Sequence, residues 1–238
     1  MPEVPMSRHA VLLVVLFTGA LTLGASCDEP PKTAPPPASG GAAPVHEATA
    51  FLLPAFAGVL DVEFEDAAGA RLLTVTGDGA TLKLKGSDGV ERLQATAGKH
   101  GKVRYTAGGI LFEVRDDDDD AGRFKIKSAA GETLLKIKRA DGKLKIKAGD
   151  DGPELAVIKG DDDKRKLVVP PSDDAFASVK RSESGKFKVK GTDEAVIATM
   201  RSPQASSAPL VLAFEKAGVK MPQELRDVLV CELLRRGF

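Results

Sequence analysis

Tryptophan is absent from this chain, tyrosine occurs once, at Tyr105, and histidine occurs three times, at His9, His46 and His100. Each shortage closes a class of function. With no Trp and a single Tyr there is no stacking platform for bases or sugar rings, and no aromatic girdle for a barrel that crosses a membrane. His100 sits in a Gly-Lys-His-Gly turn with no partner that would make a triad or a zinc site. Cys27 and Cys231 are too few for a disulfide framework. Charge is balanced, at 34 basic and 34 acidic side chains, so nothing global calls for nucleic acid. There is no GxSxG elbow, no P-loop and no dinucleotide fingerprint. The chain therefore reads as a non-enzyme with no cofactor.

What is present begins at the N-terminus. Arg8 and His9 precede an apolar run over residues 10–23, and Gly24, Ala25, Ser26 and Cys27 follow. A basic end, a short apolar core and small residues make a secretory signal peptide. The run is shorter than the roughly twenty residues of a spanning helix, and Gly19 and Gly24 weaken the alternative of an uncleaved anchor. Ala25-Ser26-Cys27, before a Pro/Ala/Gly-rich stretch, resembles a bacterial lipoprotein signal. The leucine of that motif stands at Leu23, one place early, with Gly24 in its position. The resemblance implies cleavage before Cys27, acylation of Cys27 with palmitate-like chains, and an extracytoplasmic protein held on a membrane of the bacterial cell envelope. Cleavage and release without lipidation is the alternative. A lone cysteine at that point favours the anchor.

Composition divides the chain into a signal at 1–27, an extended Pro/Ala/Gly-rich tether at 28–45, an antiparallel β domain at 46–203 and helices at 204–238. Residues 45–60 are apolar without strict alternation and are broken by Pro54. From residue 60 one theme repeats: an alternating strand, a turn rich in Gly, Asp or Ser, and another strand. In residues 123–169, Phe124, Ile126, Leu144 and Ile146 alternate with Lys125, Lys127, Lys143, Lys145 and Lys147. Period two marks a strand with one buried and one wet face. The hairpin unit recurs roughly every twenty residues, and no segment between strands is long enough for a parallel crossover. The expected fold is all-β: an antiparallel meander of about 12–14 short strands closing into a barrel or a sandwich.

The segments FKIKSAAGETLLKIK (124–138), KLKIKAGDDGPELAVIK (143–159) and KFKVKGTDEAVIATM (186–200) resemble strand–turn–strand units of the LURP-one-related and tubby-like superfamily. The resemblance covers about residues 60–214 and implies a closed barrel of about twelve strands around a C-terminal hydrophobic helix. No phosphoinositide site of tubby type is matched, so no ligand-binding residue is carried over.

The lysine face admits two readings: a solvated outer face that blocks edge pairing, or a basic patch for anionic headgroups or an acidic partner. Asp and Glu in the same hairpins favour the first. Residues 116–120 are five carboxylates in a row, and 161–163 are three. Asp116, Asp118 and Asp120 are weak calcium candidates. The EF-hand pattern fails, because its sixth place is Ala121 and its twelfth Lys127, and a solvated hairpin tip is favoured over a metal site.

After Pro203 the period changes. Ser207 and Pro209 open a helix whose residues 210–214 are apolar all round and thus buried. Gly218 ends it, and if the resemblance holds this helix plugs the barrel. Pro222 opens a second helix, with Leu225, Val228, Leu229 and Leu233 on one face and Arg226, Glu232 and Arg235 off it. Gly237 closes it. Cys231 reads as a small buried apolar residue. The function expected is a lipid-anchored envelope module that binds or organises without catalysis. Its partners are the membrane through Cys27 and an envelope protein or lipid ligand. The alternative is a barrel that binds a lipid or another hydrophobic or anionic ligand.

Overall fold

The computed structural model describes residues 60–98, 102–117, 120–202 and 206–238. The signal, the tether, Cys27, His46, His100 and Asp118 lie outside them.

The first seven strands are β1 (Leu60–Glu65), β2 (Arg71–Gly77), β3 (Thr81–Gly86), β4 (Glu91–Ala97), β5 (Val103–Ala107), β6 (Ile110–Asp117) and β7 (Asp120–Ser128). The rest are β8 (Thr133–Ala140), β9 (Lys143–Ala148), β10 (Glu154–Gly160), β11 (Lys164–Val168), β12 (Ala175–Arg181), β13 (Phe187–Gly191) and β14 (Val196–Arg201). Each strand pairs antiparallel with its neighbours in sequence, and β14 returns to β1, with Phe64 opposite Met200. The sheet is a closed barrel without edges, so no strand is left to template association.

Alternation decides what faces the lumen. Phe64, Val75, Leu84, Ile126, Ile137, Ile146 and Val189 are fully buried, while the lysines between them point outward. A one-residue slip would reverse every such pair, so the register is strongly specified. Turns after odd-numbered strands form one rim, here the upper, and turns after even-numbered strands form the lower. One turn recurs, mostly on the upper rim. Its fourth residue donates its backbone N–H to the carbonyl of the first, as Gly69 does to Asp66, Gly89 to Gly86 and Gly131 to Ser128. That residue is left-handed, with φ of +83°, +76° and +85°, which glycine adopts freely. The turn between β13 and β14 places Glu194 there instead, at φ +60°. Glu194→Gly is therefore expected to raise stability by about 1 kcal/mol, read as a higher urea midpoint. Its ion pair with Lys190 is largely exposed and contributes little.

The chain leaves β14 at the lower rim and turns into the lumen. Helix α1 (Ala208–Val211) is buried at every residue, and 3₁₀-like bonds continue the climb through Phe214. Ser207 stands at its N-cap, but its hydroxyl makes no cap bond and instead accepts from Arg165 Nη1 at 2.8 Å. Gly218, at φ +75°, ends this segment. Helix α2 (Gln223–Arg236) then runs back down, from Glu224 beside the β5–β6 turn to Phe238 beside Ser207. Fourteen residues span about 21 Å, the depth of the strands around them. Gly237 caps α2 in the left-handed conformation.

The plug is thus a helical hairpin, and the face assignment for its second helix needs correcting. Sequence placed Glu232 and Arg235 off the buried face. Both are buried, with Glu232 at 0% exposure and Arg235 at 5%. Charged side chains enter an interior when each is paired, and here each is.

Candidate functional site

The lumen holds one polar cluster at the level of Tyr105. Tyr105 faces inward on β5 and donates its hydroxyl to Glu232 Oε1 at 2.6 Å. Arg235 donates Nε to Oε1 at 3.0 Å and Nη2 to Oε2 at 2.8 Å. Arg236 donates Nε to Oε2 at 2.7 Å, reaches Asp116 Oδ1 with Nη2 at 2.6 Å, and lies 4.2 Å from the centroid of the Phe124 ring. Both oxygens of Glu232 accept two bonds, which fills their capacity. Burial works to raise the Glu232 carboxyl, but the Arg235 and Arg236 guanidiniums and the Tyr105 hydroxyl prevail and hold it at about 2. Burial, with Glu232 behind it, pushes the Tyr105 hydroxyl well above its usual range. The phenol stays a donor and the carboxylate stays charged.

A second pair ties the upper end of α2. Arg92 Nη2 spans both oxygens of Asp227, at 2.9 and 2.6 Å. Burial raises the Asp227 carboxyl, and the Arg92 charge offsets this only in part. At the lower rim Arg165, 7% exposed, donates to the Asp161 carbonyl, the Asp162 carboxylate and Ser207. It borders a hollow of about 310 Å³ that also touches Arg139, Lys143 and Phe238. All these groups are satisfied by one another. None is a nucleophile beside a base, and the arrangement locks the plug rather than presenting reacting atoms.

The outer wall is different. On β7 to β13 most outward positions are basic, with Val157, Val168 and Ser178 among the exceptions, and the register sets like charges face to face. Arg115 is opposite Lys125, Lys125 opposite Lys136, and Lys136 opposite Lys147. Arg123 is opposite Lys138, and Lys138 opposite Lys145. Lys143 faces Lys159, which faces Lys166. Lys164 faces Lys180, which faces Lys188. Like charges directly opposite one another destabilise a sheet, so the fold does not ask for them.

The acidic partners expected to cancel this field stand mostly in the turns. Asp150, Glu154 and Glu194 reach Lys125, Lys145 and Lys190 from the upper rim. On the lower rim Asp161 is occupied by the backbone N–H groups of Lys164 and Asp163, which hold its carboxyl below the usual range. Among the described residues, Lys138, Lys143, Lys147, Lys159, Lys166 and Lys188 make no ion pair. A furrow of about 520 Å³ runs between Lys136, Lys138, Lys143, Lys145 and Lys147, with Arg123 and, from the β8–β9 turn, Asp141 also in its lining.

Of the calcium candidates, Asp116 is the last residue but one of β6 and is engaged by Arg236. Asp120 opens β7 with its backbone opposite Asp117. Among the described residues no three His, Cys, Asp or Glu groups stand together as metal ligands. Cys231 is fully buried, and burial pushes its thiol well above the usual range. The lumen cluster escaped the sequence reading, although two signals pointed to it. The single tyrosine falls on an inward position and needs a polar partner, and Glu232 precedes Arg235 and Arg236 at helical pairing distance.

Fold and site together define a self-plugged, closed antiparallel barrel. No family model matches the chain, and no curated protein matches it. Among solved structures it is similar to the X-ray structure of an Arabidopsis thaliana protein, at 10% identity and a TM-score of 0.33, over 71% of this chain and 94% of that one.

Proposed function

We propose that this chain is a non-catalytic module of the bacterial envelope, carried on a membrane by acyl chains on Cys27, that binds through its outer surface. One observation supports the outer surface over the lumen. The chain's own helices occupy the interior, with Leu229, Cys231 and Glu232 at 0% exposure. A hydrophobic ligand would have to displace them, against the ion pairs that fix α2 at both ends. The alternative, a tubby-like barrel binding a lipid or another hydrophobic or anionic ligand, loses weight for the same reason wherever that ligand would need the lumen. The LURP-one-related resemblance remains a reading of the hairpin sequences. An anionic partner on the outside fits the lysine wall.

The anchor is tested on the full chain expressed with its own leader in a bacterial host. Mass spectrometry of the membrane fraction is expected to find a mature form beginning at an acylated Cys27, and Cys27→Ala is expected to lose the membrane fraction. An unmodified Cys27 would remove the anchor from the proposal.

A further inference from the structure

We propose that the wall over β7 to β13 is the docking surface for a linear acidic polysaccharide carrying about one anionic group per sugar. The inference rests on the reading above, that the module binds through its outside, and names the chemistry of the partner.

Four observations carry it. The wall concentrates lysines whose charges are unpaired and whose juxtaposition costs stability. Relief of that repulsion is available to any polyanion laid across the strands. The rows are ordered: Lys143, Lys159 and Lys166 succeed one another strand by strand, at about 4.8 Å per strand. That spacing is comparable to one extended sugar residue. It is wider than the phosphate spacing of an inorganic polyphosphate and narrower than that of a single-stranded nucleic acid.

The wall also lacks what other partners would use. Most of its charges are lysines, point donors that attract without the planar, bidentate fit of arginine. Described aromatic side chains are buried or half-buried, so neither bases nor sugar rings would stack, and only the charges are read. The exposed large apolar residues Val90, Ile110 and Leu111 sit on or beside the upper-rim turns of β3–β4 and β5–β6, off the wall. A convex barrel meets a flat bilayer along a narrow strip and has no wedge there to insert, whereas a flexible chain follows the curve across several strands and lies in the furrow beside Lys138 and Lys143.

The test uses the full chain in detergent and titrates polygalacturonate in about 0.1 M salt, where charges beyond about 10 Å are screened. Binding is expected, with Lys138→Glu/Lys143→Glu weakening it about tenfold. The same charge change on the opposite wall, Lys85→Glu/Arg104→Glu, is expected to leave it within about twofold. Thermal unfolding separates recognition from damage, because the wall variant is expected to melt no lower than the parent. No binding, or equal loss from both double variants, would overturn the proposal. Tighter binding to inorganic polyphosphate or to single-stranded DNA would also overturn it, as would tighter binding of the unacylated Cys27→Ala chain, without detergent, to phosphatidylglycerol vesicles that Lys138→Glu/Lys143→Glu weakens, the last by giving the wall to a membrane. Whichever result is found, the state of Cys27 is read separately, so the two proposals fail independently.

Discussion

Glu232→Gln is expected to lower stability by about 3–5 kcal/mol, the cost of leaving buried charge without its partner. The amide fills the same space but removes the negative charge between two guanidiniums whose side chains are only 6% and 10% exposed. Arg236 keeps Asp116, while the bonds from Arg235 Nε and Nη2 to Glu232 lose the carboxylate charge they were made to. The amide also turns N–H donors toward the donors of Tyr105 and Arg235. For a domain of this size each kcal/mol is worth about 2–4 °C, so the melting temperature should fall by about 6–20 °C. Replacing both members of the Glu232–Arg235 pair, as Glu232→Leu with Arg235→Met, should cost less than Glu232→Gln alone, because apolar neighbours need no counter-charge and Arg236 keeps Asp116. A single variant no less stable than the double would show that the cluster does not hold the plug.

The same cluster gives the barrel an acid limit. The folded carboxyl of Glu232 lies at about 2, below its usual 4.5. A depressed acid contributes stability that is present above the unfolded value and is lost as pH falls toward the folded one. Denaturant midpoints should therefore decline from about pH 4.5 toward pH 2. Asp227 is shifted the other way, so it opposes part of this loss near its ordinary range. In Glu232→Gln the decline should be shallower than in the parent.

How much of this was legible follows from the range of each interaction. Strands and turns are local: Phe124, Ile126 and Val189 announce their face by alternation, and the turn glycines announce theirs by spacing. The number of hairpins favoured closure but left barrel and sandwich both open, and the β14–β1 pairing decides for the barrel. The plug's polar locks were not legible, because Tyr105 and Glu232 are 127 residues apart and Arg92 and Asp227 are 135 apart. Nothing in a helical period says that a charge off the apolar face will meet its partner inside a barrel. The lysine wall was visible as a stripe on each strand. Its force depends on register, which stacks one stripe on the next and leaves the carboxylates at the rims.

Gly160→Ala is expected to be the most damaging small change in the sheet, at about 3 kcal/mol or more. Gly160 ends β10 at φ +128°. A methyl group there would overlap the Lys164 carbonyl oxygen and stand 3.0 Å from the Arg165 Cα, both backbone atoms that cannot swing away. The β11 backbone must shift, and Arg165 goes with it. Its guanidinium holds Ser207, where the chain turns into the lumen, so a fault in one turn is passed to the seat of α1. Gly131→Ala makes the control. At φ +85° with nothing within 4 Å of the added methyl, it bears only the left-handed penalty of about 1–2 kcal/mol. Urea unfolding of the two variants measures the difference. Hydrogen exchange should quicken at the amides of Leu210 and Ala213 in Gly160→Ala and stay unchanged there in Gly131→Ala. Equal costs for the two would mean that the β10–β11 turn yields freely and that Arg165 does not couple the sheet to the plug.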